Sequence, residues 1–345
     1  MADRAVNSRK EQFATTKRNV TSYDVARHAG VSQSAVSRCF KPGASVSKKM
    51  RERVMKAVKE LGYQPNAIAR GLITRRSNMV GVIVSNLNFY PEVLSELSAR
   101  FTERGVHVLL FTLDHESDVA RTIEQVSQYQ VDGVLAAAHL SAEQVAQFEE
   151  RNVPLVFYNR SYQDMPVSSV CCDQVEGERV LVNLLVESGK QSFAVVSGPS
   201  DSVVSMQRTR GAIDRLSSLG INDITEVSGD YTYESGRRAT QKIYEQHGSM
   251  VDAIICANDM MAFGCIDELR YHLDLDVPGD VSVVGFDGVR AANWASFDLA
   301  TIQQPVESMA EAAVSMLMER LDNADLPPEK RMFSGVLRRG STVSG

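Results

Sequence analysis

The sequence predicts a small all-α helix-turn-helix domain followed by a two-lobed α/β core of parallel sheets with helices on both faces. Three observations predict it. Charge is segregated: residues 1–77 carry 17 Lys or Arg against 5 Asp or Glu, a net of +12, whereas the remainder carries 20 against 38, a net of −18. The basic segment is divided by cap residues and glycines into short two-faced helices. From Met79 onward, short apolar runs alternate with helical segments in two similar series, as βαβ units require.

At 345 residues and 43% hydrophobic content, the chain can bury a large core. No apolar run approaches the roughly 18 residues of a membrane helix, and the first residues are polar and charged. No membrane association is therefore expected, and the expected location is cytoplasmic. Cys39, Cys171, Cys172, Cys256 and Cys265 are odd in number and show no CxxC spacing, so they read as small core residues.

Residues 1–18, with Arg4, Arg9, Lys10, Lys17 and Arg18, read as a flexible basic leader. The headpiece spans 19–64. Thr21-Ser22-Tyr23-Asp24 has the form of a capping box and opens a helix that runs to about Ala29. Gly30 supplies a tight turn, and Ser32 is placed to cap a second helix from Gln33. At about 100° per residue, Gln33, Ser34, Ser37 and Arg38 gather on one side of that helix, opposite Ala35, Val36, Cys39 and Phe40. Ser47 caps a third helix whose Met50, Val54, Ala57, Val58 and Leu61 recur at helical spacing, and Gly62 ends it. Helix, three-residue turn and helix is the geometry that lays a second helix in the DNA major groove, where short hydrogen-bonding side chains and one arginine suit base edges. The clustered positive charge fits a polyanion partner.

Residues 65–77 form the expected hinge and linker. After Pro65, Asn66 caps a helix of about eight residues containing Gly71, too short to be stable alone in water. It is expected to be disordered in the free protein and to fold on DNA, with Leu72 free to wedge between base steps in the minor groove.

The core occupies 78–345. "MVGVIVS", "VHVLLFT", "VDGVLAA" and "PLVFYN" make one series of strands, and "FAVVSG", "ITEVSGD", "AIICAN" and "VSVVGFD" the other. Helices at Val175 to Ser188 and Met206 to Leu219 lie between strands. The expected N-lobe is about 78–160 plus 290–321, and the expected C-lobe about 161–289 plus 322–345. Ligands of open α/β sheets bind beyond the carboxyl ends of the strands, which makes the cleft between lobes the candidate site. Phe89 and Tyr90, Asn159 and Arg160, Tyr231, Asn258 and Asp259, and Asp287 all fall at such ends.

"YDVARHAGVSQSAVSRCF", followed by "VSKKMRERVMKAVKELGYQPNAIARGL", closely resembles the headpiece of the LacI/GalR family of bacterial transcriptional regulators. The likeness is dense over residues 21–76 and continues through "GPSDSVVSMQRTRGA", "ANDMMAFG", "VPGDVSVVGFDG" and "LATIQQP". The resemblance implies a core like type I periplasmic sugar-binding proteins. The effector is then a small molecule, and because one recognition helix buries too little to be specific, a homodimer is expected to address a double-stranded, pseudopalindromic DNA operator. By the family motif, Gln33, Ser34 and Arg38 read base edges, Asn66 to Thr74 is a hinge helix, and Leu72 intercalates. Thr21, Ser22, Tyr23, Ser32, Ser37 and Ala69 join the DNA-binding set, and Arg208, Tyr231, Asn258 and Asp287 line the effector cleft. Ala35 stands where threonine is usual, Asn159 where sugar-responsive members often have aspartate, and Met206 where some sugar binders have arginine. A sugar, sugar acid or similar polar metabolite fits this cleft; a purine-like ligand stays open. Most sugar-responsive members leave DNA on binding ligand, which makes repressor the default reading.

Enzymatic motifs are missing from the sequence: there is no HExxH, no GxGxxG after a strand and no GxSxG, and Gly189-Lys190-Gln191-Ser192 lacks the upstream glycine of a phosphate loop. No catalytic residue, metal ligand or cofactor is expected. The rival reading is a solute-binding protein of a transport system, which would share the core but would need an export signal and no helix-turn-helix. The absence of a heptad tail after "MFSGVLRRGSTV" favours a dimer over a tetramer.

Overall fold

The structure is a computed structural model of the chain and describes residues 20–40, 43–64, 76–85, 91–113, 119–160, 162 and 165–344. The chain divides into two compact units that meet in sequence at Ser77 and Asn78.

The first unit contains α1 (Ser22–Ala29), α2 (Gln33–Cys39) and α3 (Lys48–Leu61). Thr21 and Asp24 close the capping box reciprocally, and Gly30 turns the chain at φ 60°. Ser32 and Ser47 accept from the third helical amide of α2 and α3, and Gly62 ends α3 at φ 63°. Val25, Ala29, Val36, Cys39, Val54 and Ala57 form the small core. Two arginines of α3 tie it to the other helices: Arg53 donates to Ala29 O at 2.6 Å, and Arg51 donates to Cys39 O at 2.9 Å. Each places a cation on the carbonyl end of a helix, where the macrodipole is negative. The expected hinge helix at 66–74 lies outside the described residues.

The second unit holds two six-stranded sheets. The first comprises β1 (Met79–Val84), β2 (His107–Thr112), β3 (Gly133–Ala137), β4 (Leu155–Tyr158), β5 (Ser168–Cys172) and β11 (Lys330–Phe333), in the order β11-β5-β4-β3-β1-β2, all parallel. The second comprises β6 (Phe193–Ser197), β7 (Ile224–Ser228), β8 (Ala253–Cys256), β9 (Ser282–Asp287), β10 (Ala300–Gln303) and β12 (Val336–Arg338), in the order β12-β10-β9-β8-β6-β7. Only β12 runs antiparallel.

Helices cover both faces, as parallel sheets buried on both sides require. On the first sheet these are α4 (Pro91–Glu103), α5 (Val119–Gln128), α6 (Ala142–Glu150) and α11 (Val306–Asp322). On the second they are α7 (Gln174–Glu187), α8 (Val203–Ser218), α9 (Tyr233–His247) and α10 (Asp259–Tyr271). One apolar core runs through both lobes, from Val80, Leu135 and Val156 to Val195, Ile255 and Phe286. All five cysteines are buried in this fold.

The expected lobe boundaries need correction. Residues 168–172 belong to the first sheet, where Ser168–Val170 pair with Val156–Tyr158, not to the C-lobe. Residues 300–303 pair with β9 in the second sheet, and 330–333 pair with β5 in the first. The chain therefore crosses between lobes three times, after Cys172, between β10 and α11, and between β11 and β12. Helix α8 begins at Val203 and not Met206 because the Ser202 hydroxyl accepts from Ser205 N and caps it there.

Candidate functional site

In the first unit, the exposed face of α2 carries Ser34, Ser37 and Arg38, while Ala35, Val36 and Cys39 are buried. Gln33 is half-buried and donates to Ser22 Oγ at 3.3 Å, which joins the N-termini of α1 and α2. Tyr23 stands beside that junction and is 67% exposed. Other sequence-predicted DNA contacts have internal work: Thr21 Oγ1 donates to Asp24 Oδ2 at 2.7 Å, and Ser32 Oγ accepts from Ala35 N at 3.2 Å. Asn66, Ala69 and Leu72 lie outside the described residues.

In the second unit, a cleft of about 850 Å³ opens between the two sheets at the carboxyl ends of their strands. It brings together Asn159, Arg160, Arg208, Tyr231, Asn258 and Asp287, six of the eight expected ligand residues. Phe89 and Tyr90 lie outside the described residues. Three of the six hold left-handed backbone: Asn159 at φ 51°, Tyr231 at φ 68° and Asp287 at φ 125°. Such positions cost of order 1–3 kcal/mol each and persist where the surroundings over-determine them, which is the habit of ligand-holding residues.

Arg208 is the hub. It is 2% exposed, and its guanidinium donates from Nε to Gln174 Oε1 at 2.7 Å, from Nη1 to Ala257 O at 2.6 Å and from Nη2 to Asp287 Oδ1 at 2.8 Å. The Phe286 ring lies 3.8 Å below it, so the buried charge is both paired and stacked. Gln304 Nε2 donates to the same Asp287 oxygen at 2.6 Å. Asn258 is a clamp: Oδ1 accepts from Met261 N at 2.9 Å to cap α10, and Nδ2 donates to Tyr231 O at 3.0 Å. The Tyr231 hydroxyl meets Ser202 Oγ at 3.2 Å, and its ring passes so close to Gly198 that a Cβ there would sit 2.5 Å from it. Burial pushes the Tyr231 phenol up, so it stays a neutral donor.

Behind the cleft, Asp259 is fully buried and accepts from Thr301 Oγ1 at 2.6 Å and Val289 N at 2.9 Å. Burial, then the neighbouring Asp287 carboxylate, raises its pKa. Sequence reasoning selected Asp259 with Asn258 at a strand end but missed Gln174 and Gln304 as network members. Gln174 opens a helix, and Gln304 follows β10, which the sequence did not mark as a strand.

The site is a polar, two-sided cleft in the second unit, and a helix-turn-helix precedes it in the chain. Among the described residues, no group of three His, Cys, Asp or Glu side chains could hold a metal ion, and no helix is long and apolar enough to cross a membrane. In one chain, such a headpiece and sensor core define a ligand-responsive, DNA-binding regulator.

Comparison with known proteins agrees. Residues 21–66 match the bacterial regulatory proteins of the lacI family, and residues 182–342 match the periplasmic binding protein-like domain. The transcriptional regulator CelR of Thermobifida fusca is 33% identical over 90% of this chain and 95% of its own. The regulator AscG of Escherichia coli K12 is 30% identical over 94% of this chain and 98% of its own. The crystal structure of the lac repressor dimer bound to operator and the anti-inducer ONPF superposes with a TM-score of 0.85 at 28% identity, over 94% of this chain and 99% of that one. The CelR–cellobiose complex follows with a TM-score of 0.71 at 29% identity, over 94% and 100%. The chain belongs to the lacI family of bacterial regulatory proteins.

Proposed function

We propose that the protein is a cytoplasmic transcriptional repressor that binds a pseudopalindromic DNA operator as a homodimer and changes its operator affinity when a small polar compound fills the core cleft. The observation that carries this reading is the convergence of Asn159 and Arg160 from one lobe with Arg208, Tyr231, Asn258 and Asp287 from the other on one cavity. A compound touching both lobes binds their closed arrangement better than the open one, and that difference in affinity is what an allosteric switch requires.

Electrostatics narrow the ligand. The cleft is lined by six carboxylates, Glu92, Glu96, Asp201, Asp230, Asp287 and Glu307, against three arginines, Arg160, Arg208 and Arg290. Arg208 is already paired with Asp287. This balance favours a neutral polyhydroxyl compound over a sugar acid, and the likeness to a regulator solved with cellobiose supports a sugar. Exposed Ser34, Ser37 and Arg38 on α2 supply the base-reading face. No catalytic role is proposed.

The test is fluorescence anisotropy on a duplex selected from a random pool by the wild-type protein, with compounds drawn from a thermal-shift screen of sugars. Asp287→Ala should bind the selected duplex normally yet ignore the compound that releases the wild type. Arg38→Ala should lose about 1–3 kcal/mol on the selected duplex and little on random DNA. Equal losses on both duplexes, or a normal ligand response in Asp287→Ala, would refute the assignment.

A further inference from the structure

We infer that Gln174 sets the hydrogen-bonding polarity of the cleft: it locks the Asn159 carboxamide with its oxygen turned into the fold and its NH2 group left for the ligand. The inference rests on the effector-cleft reading above and adds to it a positioning residue outside the cavity wall.

Three groups whose roles cannot be exchanged fix both amides. The Cys172 N–H can only donate, and it reaches Asn159 Oδ1 at 3.3 Å. Arg208 Nε can only donate, and it reaches Gln174 Oε1 at 2.7 Å. The Cys172 carbonyl can only accept, and Gln174 Nε2 donates to it at 3.0 Å. Gln174 Nε2 therefore also faces Asn159 Oδ1, at 2.9 Å. Rotating the Asn159 amide by half a turn would set donor against donor at both of its contacts. Rotating Gln174 would set donor against donor at Arg208 and acceptor against acceptor at Cys172 and Asn159. Both side chains are buried, with Gln174 3% and Asn159 5% exposed, so such a mismatch is costly.

Among the described residues, the oxygen takes both of the hydrogen bonds of the Asn159 side chain. Asn159 lines the cleft, and what remains for an occupant is a donor. The ligand therefore presents an acceptor at this point, a hydroxyl, ring or carbonyl oxygen. A group that can only donate, such as an ammonium, is refused. An aspartate here would offer an acceptor in place of that donor.

The experiment needs no ligand, so its outcome is independent of whether an effector is found. Full-length protein labelled with 15N-asparagine is examined by NMR, and the water-exchange rates of side-chain NH2 protons are compared. The Asn159 signal is identified by its loss in Asn159→Asp. Asn258, whose Nδ2 donates to Tyr231 O at 3.0 Å, is the internal standard for a bonded amide. Asn159 protons should exchange roughly tenfold faster than the bonded Asn258 proton. Gln174→Glu sets an acceptor opposite Asn159 and should turn its NH2 inward, slowing its exchange toward that of Asn258. A merely structural loss would only speed it. Protection of wild-type Asn159 equal to that of Asn258, or no slowing in Gln174→Glu, overturns the inference. Should Gln174→Glu fail to fold, melting decides: Asn159→Asp keeps the inward oxygen and should stay within about 3 °C of the wild type, whereas a much larger loss overturns the orientation.

Discussion

A buried carboxyl lies beside the arginine hub. Glu178 on α7 is 1% exposed, and among the described residues neither carboxyl oxygen has a hydrogen-bond partner. Burial pushes it up to about 8, with nearby Arg208 opposing and Asp287 adding to the rise. Asp259 moves in the same direction for the same first reason. A folded-state pKa above the unfolded value means that the native chain holds the proton more tightly, so the associated stability is present in full below the ordinary carboxylate range and is lost as pH rises toward 8. The melting temperature should therefore fall between about pH 5 and pH 8.5, and Glu178→Gln should flatten that slope. A profile that rises over this window, or an unchanged slope in the variant, defeats the assignment. Nothing in "VEGERV" marks Glu178 as buried. Its burial comes from a residue far along the chain, Gly211, where an added Cβ would lie 3.3 Å from that of Glu178 and so lets α8 settle onto α7. The strand-end rule selected Asn159, Tyr231 and Asp287 because such ends are fixed locally, whereas Gln174 and Glu178 acquire their roles only through packing.

At the scale of elements, the cleft depends on two helices in backbone contact. A Cβ on Gly264 of α10 would lie 2.0 Å from Tyr233 O, and one on Gly236 of α9 would lie 2.1 Å from Met261 O. Only glycine allows this approach, and it holds the N-terminus of α10, with Asn258 as its cap, against the turn that carries Tyr231. Gly264→Ala forces the helices apart at backbone atoms that cannot rotate away, and overpacking of this kind costs about 1–3 kcal/mol. It should lower the melting temperature of the core and abolish ligand-induced stabilisation, while binding of the headpiece to DNA without ligand persists. Retention of full ligand stabilisation would show that the Asn258–Tyr231 clamp does not depend on this contact. Caps and glycines made α1, α2 and α3 readable to the residue, since those signals are local. Strands β5, β10, β11 and β12 were not read as strands: "SSVCC" and "KRMF" lack alternation and length, and β11 and β12 are strands only through an edge that the chain reaches after crossing between lobes.

For the whole molecule, the division of charge assigns each unit its partner. The net +12 of residues 1–77 and the net −18 of residues 78–345 meet where the structure divides into compact units. A core that repels phosphate confines attraction to the headpiece, so the molecule should not coat DNA with its larger surface. Binding through the headpiece releases counterions, and affinity must therefore fall steeply and linearly on a log–log plot against salt. The full chain should be retained on a heparin column at about 50 mM salt and released as salt rises, whereas a fragment of residues 78–345 should pass through and bind an anion exchanger instead. The same fragment should keep the thermal response to whichever sugar stabilises the full chain, because the cleft lies wholly within it. Retention of the fragment on heparin would place a polyanion surface on the core, and the assignment of DNA binding to the three-helix unit alone would fail.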